Sequence, residues 1–245
     1  MSAEEMKEWI AKASPGLKAR IAGVLYVVSG TAYSYGEGSV RGKLVVPGDA
    51  AATAHNILSH ESLYRLGFAT DLISAVLFIT VTLLLYDLFR PVNKSLSFGA
   101  ACFSLAGCIV QAFSGIFVLA PLVILGGAPY LTAFPVEQLQ ALALLSLKLR
   151  IEATSIYMVC FACYNLVLGY LIFKSKFMPR IIGVFMAIAG LTYQAFLSPP
   201  LASYLFPHVL FPAGLLGEGS VMLWLIVFGV NVRRWKERAS AAITI

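Results

Sequence analysis

Charged residues are scarce in this sequence. Of its 245 residues only 12% are charged, whereas 59% are hydrophobic and the mean hydropathy is +0.83. A soluble domain carries about 25% charged residues, so a water-soluble fold of this length would lack the polar side chains that cover a surface. Lipid needs no such covering. The composition therefore excludes an ordinary soluble domain and predicts an integral membrane protein, with the lipid bilayer as its main partner.

Histidines are also few, and they form no metal-binding pattern. His55 and His60 are five residues apart, which places them about 140° apart around a helix. His208 is remote in sequence, and no HExxH spacing exists. We therefore predict no metal site and no cofactor. A metal-dependent intramembrane enzyme that uses His60 or His208 with nearby carboxylates is the alternative hypothesis.

The four cysteines all lie in long apolar stretches. Cys160 and Cys163 have the spacing of a redox pair, but a thiol oxidoreductase also needs accessible relay thiols, and no predicted outer loop contains one. Small cysteines that pack between helices fit this placement better. The sequence also lacks a phosphate-binding loop, a dinucleotide fingerprint and a Ser-His-Asp order, so an enzyme is not the leading hypothesis.

Six long apolar stretches dominate what is present, and their continuity favours helices over the alternating strands of a membrane barrel. At 1.5 Å per residue each can cross about 30 Å of hydrocarbon, the fifth only just. They are Leu17–Gly36, Leu66–Phe89, Leu96–Leu125, Ile151–Phe173, Ile181–Leu197 and Leu210–Val232. The predicted fold class is all-α, a polytopic bundle of six transmembrane helices. A fifth span that is merged or absent is the alternative.

Three segments follow from this pattern. Residues 1–16 predict a short amphipathic helix at the membrane interface, residues 17–232 the six-span domain, and residues 233–245 a basic cytoplasmic tail. Between the spans, Asp49 is a predicted N-cap of a helix that reaches Arg65. Pro135 starts a helix that nothing separates from the fourth span. The proline-rich residues 198–212 predict an irregular connection.

The basic residues are distributed unevenly about the predicted spans. Of 18 Lys and Arg residues, 13 fall on the side that holds both termini and 5 on the other. The positive-inside rule then makes the first side cytoplasmic. The net charge of +6 does not predict nucleic-acid binding, because no basic run is interleaved with aromatic residues outside the apolar stretches.

Strongly polar residues recur in the predicted spans, always in the outer half. An ionisable group in hydrocarbon costs about 2.5–3.5 kcal/mol on insertion scales, so each needs a reason. Asp71 and Glu218 have no basic residue within four positions, and Gly214, Gly217 and Gly219 around Glu218 allow close packing or local unwinding. The predicted ligand contacts are Asp71, Glu218, Gln111, Gln194 and Glu152.

These residues could line one outward-facing pocket between helices. The leading hypothesis is a non-enzymatic membrane protein that binds a small cation, a proton or a polar-headed ligand there, for transport or sensing. Two plainer explanations stay open: Asp71 and Glu218 could bond neighbouring helices, and Glu152 could mark the membrane interface. A structural or accessory subunit, with a membrane partner or in a homo-oligomer, is a further alternative.

Two segments resemble each other within the chain. Residues 20–33 (RIAGVLYVVSGTAY) and 180–193 (RIIGVFMAIAGLTY) share six of fourteen residues at identical offsets. Both are predicted to run outward from the cytoplasm, so a repeat would be parallel. Shared packing constraints on membrane helices explain the similarity as well as duplication does.

A wider resemblance covers nearly the whole chain after residue 17. The segments RIAGVLYVVSG, LVVPGDAAATAHNI, HESLYRLGFATDL, RPVNKSL, MPRIIGVFMAIAG and GEGSVMLWLIVFGV are similar to a bacterial membrane-protein family, the domain of unknown function 4386. The resemblance implies a multi-span protein of the bacterial inner membrane. It implies no activity and no binding residue.

Overall fold

Helices account for the regular structure of the chain. The computed structural model describes residues 14–242, and this range contains no β-strand. The main helices are α1 (Pro15–Ser34), α2 (Ala50–Ser59), α3 (Glu61–Phe89), α4 (Lys94–Ile124), α5 (Val136–Ser175), α6 (Arg180–Thr192), α7 (Pro199–Leu205), α8 (Phe211–Val227) and α9 (Val232–Ala241). Shorter pieces are π-helical Tyr35–Arg41 and Phe206–Leu210, 3-10 helical Pro129–Leu131 and Tyr193–Leu197, and the turn Gly42–Leu44. The predicted all-α class is confirmed.

Within residues 14–242, five helical segments are long and apolar enough to cross a membrane. They are Glu61–Phe89, Lys94–Ile124, Val136–Ser175, Arg180–Leu197 and Pro199–Val227. These match the second to sixth predicted spans, so the polytopic membrane bundle is confirmed. Helix α1 has 20 residues but is not among the five, because Lys18, Arg20 and several hydroxyl-bearing residues dilute its apolar character. The first predicted span, Leu17–Gly36, therefore stays a prediction, and so does the total of six.

The proline-rich connection is helical, so the prediction of an irregular segment was wrong. Helix α7, a π-helical turn and α8 follow one another without a break from residue 199 to residue 227. Pro199, Pro200, Pro207 and Pro212 each occupy the first turn of a helical piece. At the start of α7 a proline sacrifices no helical hydrogen bond, and its fixed φ suits the helix. Pro207 and Pro212 follow helical residues directly, and the type of helix changes beside each of them, at residues 206 and 211.

The helix in the connection before the second span is shorter than predicted. Asp49 caps α2 as expected, accepting a hydrogen bond from the Ala52 backbone N–H at 2.8 Å. The helix ends at Ser59, however, and α3 begins at Glu61 after a break at His60. The single helix expected to reach Arg65 is therefore divided. Helix α5, by contrast, runs uninterrupted for 40 residues, as the sequence after Pro135 allowed.

The structure describes only part of the two segments predicted at the ends of the chain. The interfacial helix predicted for residues 1–16 lies outside the described residues except at its end, where α1 begins at Pro15. Most of the basic tail, residues 233–245, forms α9. Asn231 caps this helix, and the Trp235 indole donates a hydrogen bond to the Leu88 carbonyl at 2.8 Å.

The described chain forms two compact units. One contains residues 14–27, 78–107 and 158–242, and we call it the terminal unit. The other contains residues 28–77 and 108–157, and we call it the internal unit. Each has its own packed interior and its own polar centre.

The core of the internal unit joins segments far apart in sequence. Its buried members come from the π-helix, the turn Gly42–Leu44, α2, α3, α4 and α5: Val40, Leu44, Ile57, Tyr64, Val118 and Leu147. The Tyr64 hydroxyl donates to the Val118 carbonyl at 2.7 Å, which satisfies the one polar group that this aromatic residue buries. This core packs α3, α4 and α5 against one another within the internal unit.

The terminal unit is held by helices that approach closely over small residues. A Cβ atom on Gly183 of α6 would lie 2.5 Å from the Gly169 carbonyl oxygen of α5. On α8, a Cβ atom on Gly217 would lie 2.7 Å from the Ala189 Cβ of α6. Small residues of this kind let backbones pack where lipid supplies no hydrophobic drive for helix association.

Candidate functional sites

A cluster of two arginines and two carboxylates lies in the internal unit. Arg41 Nη2 donates a hydrogen bond to Asp71 Oδ1 at 2.9 Å, and Arg41 Nη1 lies 2.7 Å from Asp71 Oδ2 as an ion-pair contact. Its Nη2 and Nε also reach Glu37 Oε2, at 3.0 and 3.3 Å. Arg41 is 4% exposed and Asp71 7% exposed. The two charges are therefore desolvated together, and their close contacts offset part of that cost.

Glu37 is shared with a second buried arginine. Arg150 Nη1 donates to Glu37 Oε1 at 3.1 Å, and Arg150 Nη2 donates to Glu37 Oε2. Arg150 is 5% exposed, whereas the Glu37 side chain keeps 44% of its exposure. Two guanidinium groups thus face two carboxylates, and the formal charges of the cluster balance.

The π-helix Tyr35–Arg41 presents the central members of this cluster. Glu37 and Arg41 both lie in this segment, and π-helical turns are often found at functional positions. Gly36 lets this segment approach α3, because a Cβ atom there would lie 2.7 Å from Asp71 Oδ1 and 2.8 Å from the Gly67 carbonyl oxygen. A side chain at this position would push Asp71 away from Arg41.

A small polar cavity adjoins the cluster. Its lining residues are Tyr33, Asp71, Gln111, Ser114, Arg150, Thr154 and Tyr157. The cavity has a volume of about 10 Å³, which is room for roughly one water molecule. Two buried donors beside it, Gln111 Nε2 and Arg150 Nε, have no hydrogen-bond partner.

The chemistry of this cavity favours a hydrogen-bond acceptor. Both carboxylates of the cluster are already bonded to guanidinium groups, so neither is free for a cation. The unpartnered atoms of Gln111 and Arg150 are N–H donors. A buried donor without a partner costs about 1–3 kcal/mol, so a water or ligand oxygen in the cavity would be stabilised.

A second polar centre surrounds Glu218 in the terminal unit. The Tyr26 hydroxyl and the Asn165 amide each donate to the Glu218 carboxyl at 3.4 Å. The Tyr193 hydroxyl is a further partner. Among the described residues, these partners of Glu218 are hydroxyl and amide groups, and none is basic. Asn165 is fully buried, and its Oδ1 has no hydrogen-bond partner.

Aromatic rings enclose this second centre. Phe78 packs edge-on against Tyr26, with ring centroids 5.1 Å apart, and against Phe161 at 5.3 Å. The Tyr193 ring stacks on Phe161 at 6.4 Å. Gly214, one turn before Glu218, leaves space that the Tyr193 hydroxyl occupies. Gly214 and Gly217 therefore serve close packing, and α8 continues without local unwinding.

The five predicted contacts divide among different surroundings. Asp71 and Gln111 line the same cavity of the internal unit, and Glu152, in the same unit, is not among its lining residues. Glu218 has the partners described above. Gln194 is half-buried in a 3-10 helical segment, and Glu152 is exposed on α5. The binding role of each of the five stays a prediction.

Sequence reasoning missed Arg41 and Arg150. Both are among the five basic residues that the charge distribution places on the outer side, where a basic residue beside a span end is ordinarily hydrated. For Arg41 alone there is a partial signal, because it follows Glu37 by four residues and so shares a helix face with it. Nothing local indicated that Asp71, thirty residues later, is the second partner of Arg41.

Residues 14–242 contain no group of three His, Cys, Asp or Glu side chains placed to hold a metal ion. The three histidines are exposed, and the His60 ring lies 3.1 Å from the Asn56 carbonyl oxygen. Cys160 and Cys163 are half-buried free thiols on α5. The metal-dependent alternative therefore has no ligand set in this part of the chain.

Comparison with known proteins gives one match. The family model described as a domain of unknown function (DUF4386) matches residues 21–229. No curated protein and no solved structure matches the chain. The matched range covers most of the sequence and confirms the resemblance that its motifs suggested. The chain, a membrane protein by the length and apolar character of its helices, belongs to the DUF4386 family.

Proposed function

We propose that this protein binds a proton or a small cation at Glu218 as part of transport or sensing. The observation that carries the proposal is the set of Glu218 partners, which contains two tyrosine hydroxyls and an amide but no base. A carboxyl in a membrane helix needs a compensating positive charge or a proton. Since none of its partners in residues 14–242 is a cation, a bound proton or metal cation fills that role.

The oxygen atoms around Glu218 support this proposal. The unpartnered Asn165 Oδ1 adds a neutral acceptor to the carboxyl and the phenol oxygens. Oxygen ligands of this kind suit a hard cation, and they equally solvate a proton carried by the carboxyl. Gln194, which is half-buried, and Glu152, which is exposed, fit a role at the rim of a site better than direct contact with a ligand.

The same proposal includes the orientation and the location of the chain. The excess of basic residues on the side of both termini supports cytoplasmic termini in a bacterial inner membrane. Two of the five basic residues on the other side, Arg41 and Arg150, form buried ion pairs. Their positions therefore reflect the internal unit, and they weigh little against this orientation.

Glu218→Gln should abolish proton and cation responses while leaving the fold intact, since Gln keeps the size and hydrogen-bonding ability of the side chain. We expect the wild type in liposomes to show a carboxyl infrared band that changes with pH, and a thermal midpoint that rises with Na⁺, K⁺ or Ca²⁺. Glu237→Gln, at an exposed carboxylate on α9, is the matched control. If Glu218→Gln keeps both responses, the proposal is wrong.

A second candidate function is favoured by the unpartnered donors in the internal unit. We propose that the cavity beside Asp71 binds an acceptor oxygen, either of an ordered water or of a polar-headed ligand. In this arrangement Asp71 orients Arg41, and Gln111 and Arg150 contact the bound oxygen. Asp71 then acts as a positioning residue.

Gln111→Met tests this second candidate. Methionine has a similar length but no N–H donor, so a bound oxygen loses one hydrogen bond, worth about 1 kcal/mol. We expect hydrogen exchange of the α4 backbone amides near Gln111 to accelerate. If a small carboxylate compound raises the thermal midpoint of the wild type, that rise should be smaller in the variant. Gln194→Met, at a residue that does not line the cavity, should change neither quantity. Equal effects from the two variants would contradict this role.

A further inference from the structure

A basic cavity lies in the terminal unit and takes no part in either centre described above. Its volume is about 700 Å³. Four cations line it, Lys176, Arg180, Arg234 and Arg238, together with one carboxylate, Glu237. A volume of this size accommodates a small organic group, because ligand sites generally occupy about 300–1,000 Å³.

The chain places this cavity at a membrane face. Lys176 directly follows α5, and Arg180 is the first residue of α6. The segments Arg180–Leu197 and Pro199–Val227 each have the length and composition of one span, so the end of the second returns to the side where α6 begins. Helix α9, which carries Arg234 and Arg238, follows that end. The four cations therefore gather where lipid headgroups lie.

Backbone contacts hold α9 against the connection between α5 and α6. Arg234 Nη1 donates to the Lys176 carbonyl oxygen, and Arg238 Nη2 to the Lys174 carbonyl oxygen, both at 3.1 Å. Each bond uses one of the five N–H donors of a guanidinium, so most donors of both arginines are left for another acceptor. One of them, Arg238 Nε, is buried without a partner.

The charge of this cavity is not neutralised by its own residues. The one carboxylate, Glu237, pairs with Arg233 at 3.2 Å, and Arg233 is not a lining residue. Lys176 brings a fourth positive charge from a left-handed backbone conformation, φ 63°, which glycine ordinarily occupies. Cations held together in this way attract an anion, and guanidinium groups match the geometry of phosphate oxygens.

We propose that this cavity binds the phosphate headgroup of an anionic phospholipid. A membrane-face cavity of about 700 Å³ exceeds the space that a lone phosphate ion fills, and it leaves room for the glycerol part of a lipid. Basic pockets between membrane helices are suited to such headgroups. The bound lipid would clamp α9 to the ends of α5 and α6.

The test uses the purified full chain in detergent, titrated with phosphatidylglycerol or phosphatidylcholine and followed by native mass spectrometry. We expect phosphatidylglycerol to bind at least tenfold more tightly. The pair Lys176→Gln/Arg180→Gln should weaken its binding about 25-fold, at roughly fivefold for each basic residue. Arg180→Gln alone, which leaves the α9 contacts untouched, should weaken it about fivefold. Inorganic phosphate at millimolar concentration should not displace the lipid.

The matched control is Arg90→Gln/Lys94→Gln, which removes the same number of positive charges from two exposed residues that do not line the cavity. We expect it to change the dissociation constant less than twofold. If both pairs weaken binding equally, the attraction is diffuse and the site does not exist. If the two lipids bind alike, or inorganic phosphate displaces phosphatidylglycerol, the lipid assignment is overturned.

Discussion

Replacing Arg41 by Met should lower the free energy of unfolding by about 3–5 kcal/mol, because it leaves a buried carboxylate without its counter-ion. The Asp71 side chain is 10% exposed and receives both of its short contacts from Arg41. Met fills most of the volume of Arg but supplies no N–H group. Equilibrium unfolding in mixed micelles, or the thermal midpoint in one detergent, measures the loss.

Two further variants identify the cause of that loss. The double variant Arg41→Met/Asp71→Leu removes both charges and should recover most of the stability, since a buried ion pair is often no better than an apolar pair of similar size. Arg65→Met is the control, because Arg65 pairs with Glu61 on the exposed face of α3. That pair should be worth at most about 0.5 kcal/mol. A double variant no more stable than Arg41→Met would show that Arg41 acts through packing alone.

Much of the fold could be predicted from the sequence, because the amino-acid composition of a segment indicates whether it spans a membrane. Long apolar runs predicted both ends of the second and third spans to within five residues, and the end of the fourth span to within two. The fourth helix begins earlier, at Val136, because it continues beyond the apolar run. The error at residues 198–212 has a different origin. A proline is compatible with a break in a helix and with the first turn of a helix, and the sequence around it does not decide between the two.

The candidate sites could be predicted only in part. Asp71 and Glu218 were identified because a carboxyl in hydrocarbon is costly wherever it lies. Their partners could not be identified, since Arg41 reaches Asp71 across thirty positions and Asn165 reaches Glu218 across fifty-three. The local sequence does not show whether a carboxyl has a basic partner. It also does not show whether Arg150 is buried or is a hydrated charge beside a span. The two carboxyls, which look alike in sequence, have opposite surroundings.

The similarity between residues 20–33 and 180–193 is explained in part by packing. Gly23 and Gly183 have equal offsets, and both meet another helix at close range. A Cβ atom on Gly23 would lie 2.9 Å from the Ile226 backbone nitrogen, and one on Gly183 would lie 2.7 Å from the Phe173 backbone nitrogen. Each segment therefore needs a glycine at this position for its own contact, whether or not the two segments share an origin.

Gly183→Ala should destabilise the terminal unit by about 1–3 kcal/mol, the usual cost of overpacking a tight contact. The added methyl group would lie 2.5 Å from the Gly169 carbonyl oxygen, and backbone atoms cannot rotate away as a flexible side chain does. Helices α5 and α6 must separate to admit it, and they then lose the close contacts that hold them together in lipid. The thermal midpoint of the purified chain measures the change.

Gly99→Ala makes the same chemical change with the opposite expected sign. Gly99 lies inside α4, and a Cβ atom there meets nothing within 4 Å. Alanine should stabilise this position by about 0.4–1 kcal/mol, because it restricts the unfolded chain and favours the helix. If helix propensity controlled both sites, both variants would raise the midpoint. A midpoint that falls for Gly183→Ala and rises for Gly99→Ala would show that backbone contact between α5 and α6 outweighs helix propensity at Gly183.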